Sequence, residues 1–154
     1  MLAGFVLIFV TDFLIHGFWL AADYEATKSL WRPENEMHSR FSLMLFAQLL
    51  CAATFVLIWA KGFAGQGIGT GIGIGLLMGM FQQIWAIIDY VVIPMPGSLA
   101  AKWFFSGLVQ AILLGIITAL IYKPAQPSGK LGRRAAASVS PDHEHEHEHD
   151  YDIR

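Results

Sequence analysis

Two polar side chains, Asp12 and His16, stand four residues apart inside the first apolar stretch of the chain. Residues at this spacing share one face of an α-helix, so the two side chains can interact. A charge at the middle of a membrane helix costs at least about 2.5 to 3.5 kcal/mol, so such a pair is by default a functional hypothesis. Asp12 could hold the imidazole in one tautomer, the pair could pass a proton, or both could bind a polar ligand. The structural alternative is a satisfied pair that fixes the first helix against Gln48, Gln82, Gln83 or Gln110.

Catalysis needs more than this pair. A metal site for hydrolysis requires three or more ligands at one depth, and Asp89 is the one further candidate in the apolar stretches, near the end of its stretch and expected at the interface. Nucleophilic catalysis requires a nucleophile beside a base, and no spacing links His16 to Cys51, Thr54 or Ser106. We therefore expect no enzymatic activity and no cofactor.

The elements that carry these residues are four long apolar stretches. The chain of 154 residues is 55% hydrophobic and only 14% charged, whereas a soluble domain carries about a quarter charged residues. Each stretch reaches the roughly 20 residues that a helix needs to cross the hydrocarbon core. A chain this short cannot bury four helices that are apolar on every side. The sequence predicts an all-α, polytopic membrane protein, a four-transmembrane-helix bundle over residues 1–123, with spans at about 1–22, 41–60, 68–93 and 103–122.

The third stretch is unusually rich in glycine, and each glycine costs about 1 kcal/mol against alanine in a helix exposed to water. In lipid, rows of small residues let two helix backbones approach closely. We expect the third and fourth helices to pack through such rows, and the alternatives are an oligomer face or a substrate path. No nucleotide-binding pattern fits the glycines. The packing residues are Gly67, Gly71, Gly75 and Gly79 on one helix and Gly107, Ala111, Gly115 and Ala119 on the other.

A weak internal repeat relates the two halves of the chain. The pattern Trp-x-x-x-Asp-Tyr occurs at Trp19 and again at Trp85, 66 residues later. We interpret it as a two-plus-two hairpin repeat whose halves relate by an axis along the membrane normal. The aromatic residues at these helix ends fit the headgroup level of the bilayer.

The polar tail, residues 124–154, differs from the rest of the chain and is predicted to be disordered because it is too polar to bury. Five basic residues fall on the side of the two termini, counting those in the tail, against four on the other side, which favours cytoplasmic termini. The alternating histidines of the tail are weak metal candidates or an engineered purification tag. These histidines are His143, His145, His147 and His149.

Several short motifs carry a resemblance over residues 1 to about 123. They are His16-Gly17, Leu20, Tyr24, Leu30-Trp31-Arg32, Gly65-Gln66-Gly67 and Pro94-Met95-Pro96-Gly97. With these motifs the chain resembles a group of small, uncharacterised four-helix bacterial inner-membrane proteins. The resemblance implies a bacterial inner membrane and transfers no catalytic residue.

Two hypotheses of different classes follow. The first is a non-catalytic scaffold or accessory membrane component that packs against other helices. The second is a small transporter or ligand-binding bundle with Asp12 and His16 in an internal polar cavity. The partners expected are the lipid bilayer and a homo-oligomer or other membrane subunits, and no nucleic acid.

Overall fold

The structure, a computed structural model, describes residues 1–122. The predicted disordered tail, including its histidines, lies outside the described residues. Within the described part the chain is helical, without strands, and four helices are long and apolar enough to cross a membrane. The helices in chain order are α1 (Leu2–Leu14), continued by a π-helical turn (Ile15–Trp19), then α2 (Ala21–Ala26), a 3₁₀ turn (Lys28–Leu30), α3 (Glu34–Ser39), α4 (Phe41–Gly62), α5 (Ile68–Val92) and α6 (Gly97–Ile121).

The spanning helices hide little of their apolar surface from the surroundings. In the most apolar window of each helix, at most 22% of the residues are buried. Large side chains such as Phe81 and Val91 stay 70% and 79% exposed. A soluble helix of this composition would need a partner on every side, so these surfaces face lipid. The chain is an integral membrane protein with four spanning helices.

The four helices do not associate equally. α5 and α6 form the closest pair, α1 packs against α4 and α6, and α4 touches α5 only marginally although a short loop joins them. One buried cluster, centred on Ile8, Phe55 and Leu114, joins α1, α4 and α6. A second, around Leu20, Met95 and Leu99, closes the bundle at the end where α2 lies. The bundle is therefore tight at α5 and α6 and loose between α4 and α5.

Two helix boundaries differ from the predicted spans. The first helix does not continue to residue 22, because its last turn widens to π geometry, in which the Leu20 amide donates to the Ile15 carbonyl oxygen at 2.8 Å. The fourth helix begins at Gly97, six residues before the predicted 103, with Pro96 as its N-cap residue. Proline suits a helix start because it has no N–H to satisfy and its φ is already fixed.

Proline also ends α5. Ile93 precedes Pro94 and lies in the extended region at φ −105° and ψ 131°, as the ring of a following proline demands. The α4–α5 loop turns at Gly65, whose φ of 83° is one that glycine adopts without steric cost. These residues place the ends of α5 and α6, and with them the residues that face the interior.

Candidate functional site

A polar cavity of about 470 Å³ lies between the four spanning helices. It gathers all three aspartate and histidine side chains of the spans together with all four of their glutamines. Its apolar walls come from Ile8, Ile15 and Ala86 and from the rings of Trp85 and Trp103. The polar side chains that line the cavity are Asp12, His16, Gln48, Gln82, Gln83, Asp89, Ser106 and Gln110.

Asp12 is the centre of the hydrogen bonds in this cavity. Gln48 Nε2 donates to its Oδ2 at 2.7 Å, and Gln110 Nε2 donates to its Oδ1 at 2.7 Å. An ionised carboxylate is purely an acceptor, so two amide donors on its two oxygens suit it. Within residues 1–122 no Lys or Arg forms an ion pair with Asp12. The side chain therefore links α1 to α4 and α6 through amide hydrogen bonds alone.

The Gln110 amide is shared among several acceptors on α1. Beyond Asp12 it approaches Thr11 Oγ1 at 2.6 Å and the Ile8 carbonyl oxygen at 3.3 Å. Thr11 itself donates to the Leu7 carbonyl oxygen at 2.7 Å, so its hydroxyl oxygen is free to accept from Gln110. This exchange ties α6 to one turn of α1 and fixes the depth at which Asp12 lies.

His16 lies in the π-helical turn, and its hydrogen bond goes away from Asp12. Its Nδ1 is 2.5 Å from the Tyr24 hydroxyl, and the two rings stack with centroids 5.9 Å apart. Within the described part of the chain no hydrogen bond joins His16 to Asp12. The widened turn is a feature frequent at functional sites. The two residues share the cavity without forming the direct pair that their spacing allows.

Tyr24 makes hydrogen bonds to two cavity side chains. Trp103 Nε1 donates to its oxygen at 2.9 Å, and its own hydroxyl proton can be donated to His16 Nδ1. Burial raises the pKa of Tyr24 to about 12, helped by Asp23 and Asp12 and opposed by the Trp103 hydrogen bond. The phenol thus stays protonated at neutral pH. A neutral His16 that accepts at Nδ1 carries its proton on Nε2, which leaves one N–H donor for the cavity.

An aromatic and ionic cluster lies next to His16 and Tyr24. The rings of Trp31 and Trp103 lie 5.8 Å apart, and Trp31 meets Tyr24 edge-on at 5.6 Å. Lys102 Nζ donates to Asp23 Oδ2 at 2.7 Å and ties α6 to α2. Such rings suit the membrane interface, where one end is apolar and the other wet.

The predicted glycine rows meet at their centre. A Cβ on Gly71 would lie 2.6 Å from the Gly115 carbonyl oxygen, and one on Gly75 would lie 2.5 Å from that of Ala111. A Cβ on Gly79 would lie 2.9 Å from the Cβ of Ala111. Backbone contact this close requires glycine.

The ends of the rows behave differently. Gly67 is the N-cap residue of α5, and a Cβ at this position would meet nothing within 4 Å, whereas Gly107 faces the Gln83 side chain instead of a glycine. Ala119 remains in the row, with its Cβ 3.0 Å from a Cβ on Gly71. Gly107 therefore makes room for a cavity amide, a role that the spacing of small residues did not predict.

Sequence reasoning named Gln48 and Gln110 among the possible partners of the polar pair, and both bind Asp12, but it missed the roles of two other residues. Asp89 was expected at the interface, and it does lie in the last turn of α5, yet it lines the same cavity. Tyr24 was noted as an aromatic end residue and is the hydrogen-bond partner of His16. A signal in the sequence is that four of its six glutamines, Gln48, Gln82, Gln83 and Gln110, lie inside the apolar spans.

The chemistry available is hydrogen bonding and charge. Cys51 and Ser106 line the cavity, but Ser106 donates to the Trp103 carbonyl oxygen, and in residues 1–122 neither side chain hydrogen bonds to His16. Within the same residues no three His, Cys, Asp or Glu side chains come together as a metal site would require. Comparison of the chain with family models, with curated proteins and with solved structures finds no match.

Proposed function

We propose that this chain is a small membrane transporter or ligand-binding bundle whose ligand occupies the polar cavity around Asp12 and His16. The observation that carries the proposal is the convergence of the glutamine, aspartate and histidine side chains of the four spans on one cavity of about 470 Å³. Polar residues inside a membrane are costly and mark substrate or ion pathways. Small-molecule sites are concave and hold a few convergent polar groups.

A purely structural role accounts for only some of the polar side chains that line the cavity. Gln48 and Gln110 link helices through Asp12, as a packing role requires. Within residues 1–122, in contrast, Gln82, Gln83 and Asp89 make no side-chain hydrogen bond to another protein group, although they line the same cavity. Polar groups with unused hydrogen-bonding capacity around a cavity favour a bound ligand over packing alone.

The proposal is tested through Cys51, the only cysteine of the chain, which lines the cavity. In lipid nanodiscs we expect Cys51 to react with N-ethylmaleimide at least about tenfold faster than a lipid-facing cysteine, because thiolate forms readily only in contact with water. The control is Leu57→Cys in a Cys51→Ala background, since Leu57 lies on the same helix and is 56% exposed to lipid. Equal, slow rates at the two positions would contradict a ligand cavity.

A scaffold or accessory subunit is the second candidate, and one observation favours it. Gly69 and Gly73 form a second small-residue face on α5, both are exposed, and a Cβ at either position would meet nothing within 4 Å. A further spanning helix, from a second copy or from another subunit, could approach closely there. The two functions are compatible if the ligand-binding bundle is an oligomer.

The membrane and the orientation belong to the same proposal. We place the chain in a bacterial inner membrane with both termini in the cytoplasm. The support is the small excess of Lys and Arg on the side of the termini, since cytoplasmic flanks carry more basic residues. The two-plus-two repeat remains part of the proposal and rests on the paired Trp-x-x-x-Asp-Tyr motifs.

A further inference from the structure

The charges around the cavity determine which ligands it can attract. Asp12 and Asp89 both line it, and in the described part of the chain no Lys or Arg does. Electrostatic interactions are strong in a low-dielectric environment. The cavity therefore favours a cation over an anion or a neutral molecule.

A buried hydrogen-bond acceptor without a partner narrows the choice of ligand headgroup. Gln48 is only 8% exposed and lines the cavity, and its Oε1 has no hydrogen-bond partner. Flipping the Gln48 amide would not give Oε1 a hydrogen-bond partner. Nε2 donates to Asp12, and the flip would place Oε1 against the Asp12 carboxylate instead. An unsatisfied buried acceptor is costly, so a ligand that carries N–H donors would be preferred. A primary ammonium has three such donors, whereas a quaternary ammonium has none.

Two aromatic rings also favour an ammonium headgroup. Trp85 and Trp103 both line the cavity, and the face of an indole ring attracts ammonium ions. Outside the residues that line the cavity, Lys102 makes a contact of this kind, with its Nζ 5.8 Å from the centre of the Trp19 ring. The cavity thus combines carboxylates, an unpaired carbonyl oxygen and indole rings, all of which suit an organic ammonium.

An apolar cavity next to the polar one indicates the rest of the ligand. It has a volume of about 340 Å³ and lies where α4 and α5 are loosely associated, and we call it the lateral groove. It shares Ile8, Ala47, Cys51, Gln82 and Gln110 with the polar cavity. Its other walls are Leu50, Thr54, Phe55, Met78, Ala111 and Leu114.

We infer that the ligand is an amphiphilic primary ammonium compound, with its head beside Asp12 and Gln48 and its hydrocarbon part in the lateral groove. This inference rests on the proposed function and names its ligand class. Because α4 and α5 make little contact beside the groove, the gap between them is the route by which such a compound reaches the cavity from within the lipid. Its ammonium supplies the missing donor to Gln48 Oε1 and a counter-charge for Asp12.

The test is protection of Cys51, which lines both cavities, against N-ethylmaleimide in nanodiscs. This reagent is neutral, so a charged amphiphile at the membrane surface does not change its local concentration. We expect dodecylammonium to protect Cys51 saturably, with a half-maximal concentration at least about tenfold below those of dodecanol, dodecyltrimethylammonium and butylammonium. Asp12→Asn abolishes the protection, and Glu25→Gln, the same change at an exposed site, preserves it.

Each comparison can overturn one part of the inference. Equal protection by dodecanol overturns the cation, equal protection by dodecyltrimethylammonium overturns the role of the N–H donors, and equal protection by butylammonium overturns the lateral groove. A reactive Cys51 that none of the four compounds protects overturns the inference as a whole but leaves a water-filled cavity. An unreactive Cys51 overturns the proposed function itself.

A second variant keeps the test decisive if Asp12→Asn does not fold. Gln48→Met removes the unpaired oxygen with little change in side-chain length, while Gln110 still donates to Asp12. Asp12 still accepts N–H donors in this variant, so we expect a preference for dodecylammonium over dodecyltrimethylammonium that is clearly smaller than the tenfold preference of the wild type. A retained tenfold preference in Gln48→Met would contradict the role given to Gln48.

Discussion

Asp12 and His16 share one helix face but have different hydrogen-bond partners. The Asp12 carboxylate lies between two glutamine amides, and His16 is bound by Tyr24 from the other side. The first arrangement gives each carboxylate oxygen one amide donor, and the second holds the imidazole against the Tyr24 hydroxyl instead of against Asp12. Both groups remain on the wall of the cavity, where a ligand could reach them.

Tyr24 is the residue whose titration can be predicted. Its pKa of about 12 in the folded protein lies above the ordinary value of 10.0. A raised pKa of this kind contributes stability that is fully present below pH 10.0 and is lost as the pH rises through about 12.

The difference in absorbance at about 295 nm between wild type and Tyr24→Phe should therefore show a step near pH 12. The same variant should be less stable by about 1 to 2 kcal/mol at neutral pH, because it loses the hydrogen bonds to His16 and Trp103. Tyr90→Phe, a change at an exposed tyrosine, is the control. A step near pH 10.0 would show that Tyr24 is not shielded from water as the structure places it.

At the scale of the elements, α5 uses its two glycine faces differently. The face with Gly71, Gly75 and Gly79 is filled by the α6 backbone, whereas Gly69 and Gly73 meet nothing within 4 Å in the same chain. Within one chain the open face therefore makes no close packing contact. A neighbouring helix would explain it.

Leucine substitutions on the two faces should therefore have different effects. Gly75→Leu places a side chain against the Ala111 carbonyl oxygen and should lower the thermal unfolding midpoint or prevent folding, because the helices must separate. Gly73→Leu should leave the unfolding midpoint of the isolated chain unchanged and disrupt an oligomer, measured by light scattering of the detergent complex. An unchanged oligomeric state in a stable Gly73→Leu variant would remove the support for the scaffold proposal.

At the scale of the whole molecule, the bundle is asymmetric. The α5–α6 pair is tight and the α4–α5 contact is loose, and the polar cavity adjoins the lateral groove. The Tyr24, Trp31 and Trp103 rings and the Lys102–Asp23 ion pair form a cluster beside His16. Entry of a ligand from the lipid is the route that this asymmetry favours.

Orientation is also a property of the whole molecule. With both termini in the cytoplasm, a green fluorescent protein fused after residue 154 should be fluorescent in bacterial cells, and an alkaline phosphatase fused there should be inactive, because these reporters work on opposite sides of the membrane. Fusion of the same reporters within residues 33–36, between the first two spans, should give the reverse result. Active phosphatase at the C-terminus would contradict the orientation.

The four spanning helices could be predicted from the sequence because each depends on a continuous apolar run and on local backbone requirements. The hydrophobic pattern did not place every helix end. Pro96 precedes the first residue of α6, which begins six residues before the predicted span at 103. The central contacts of the glycine rows, Gly71 and Gly75 against α6, follow from the same kind of local spacing. The end residues Gly67 and Gly107 do not, because helix ends and neighbouring side chains decide their contacts.

The site itself was decided by the tertiary structure. Asp12 and His16 are visible in the sequence as polar residues in an apolar run, but their partners are 8 to 98 residues away, at Tyr24, Gln48 and Gln110. A π-helical turn rotates His16 towards Tyr24, and the crossing of α1 with α4 and α6 brings the amides to Asp12. Periodicity along one helix contains no information about which faces of different helices meet. The polar pair was therefore determined by the sequence alone, and the cavity around it by packing.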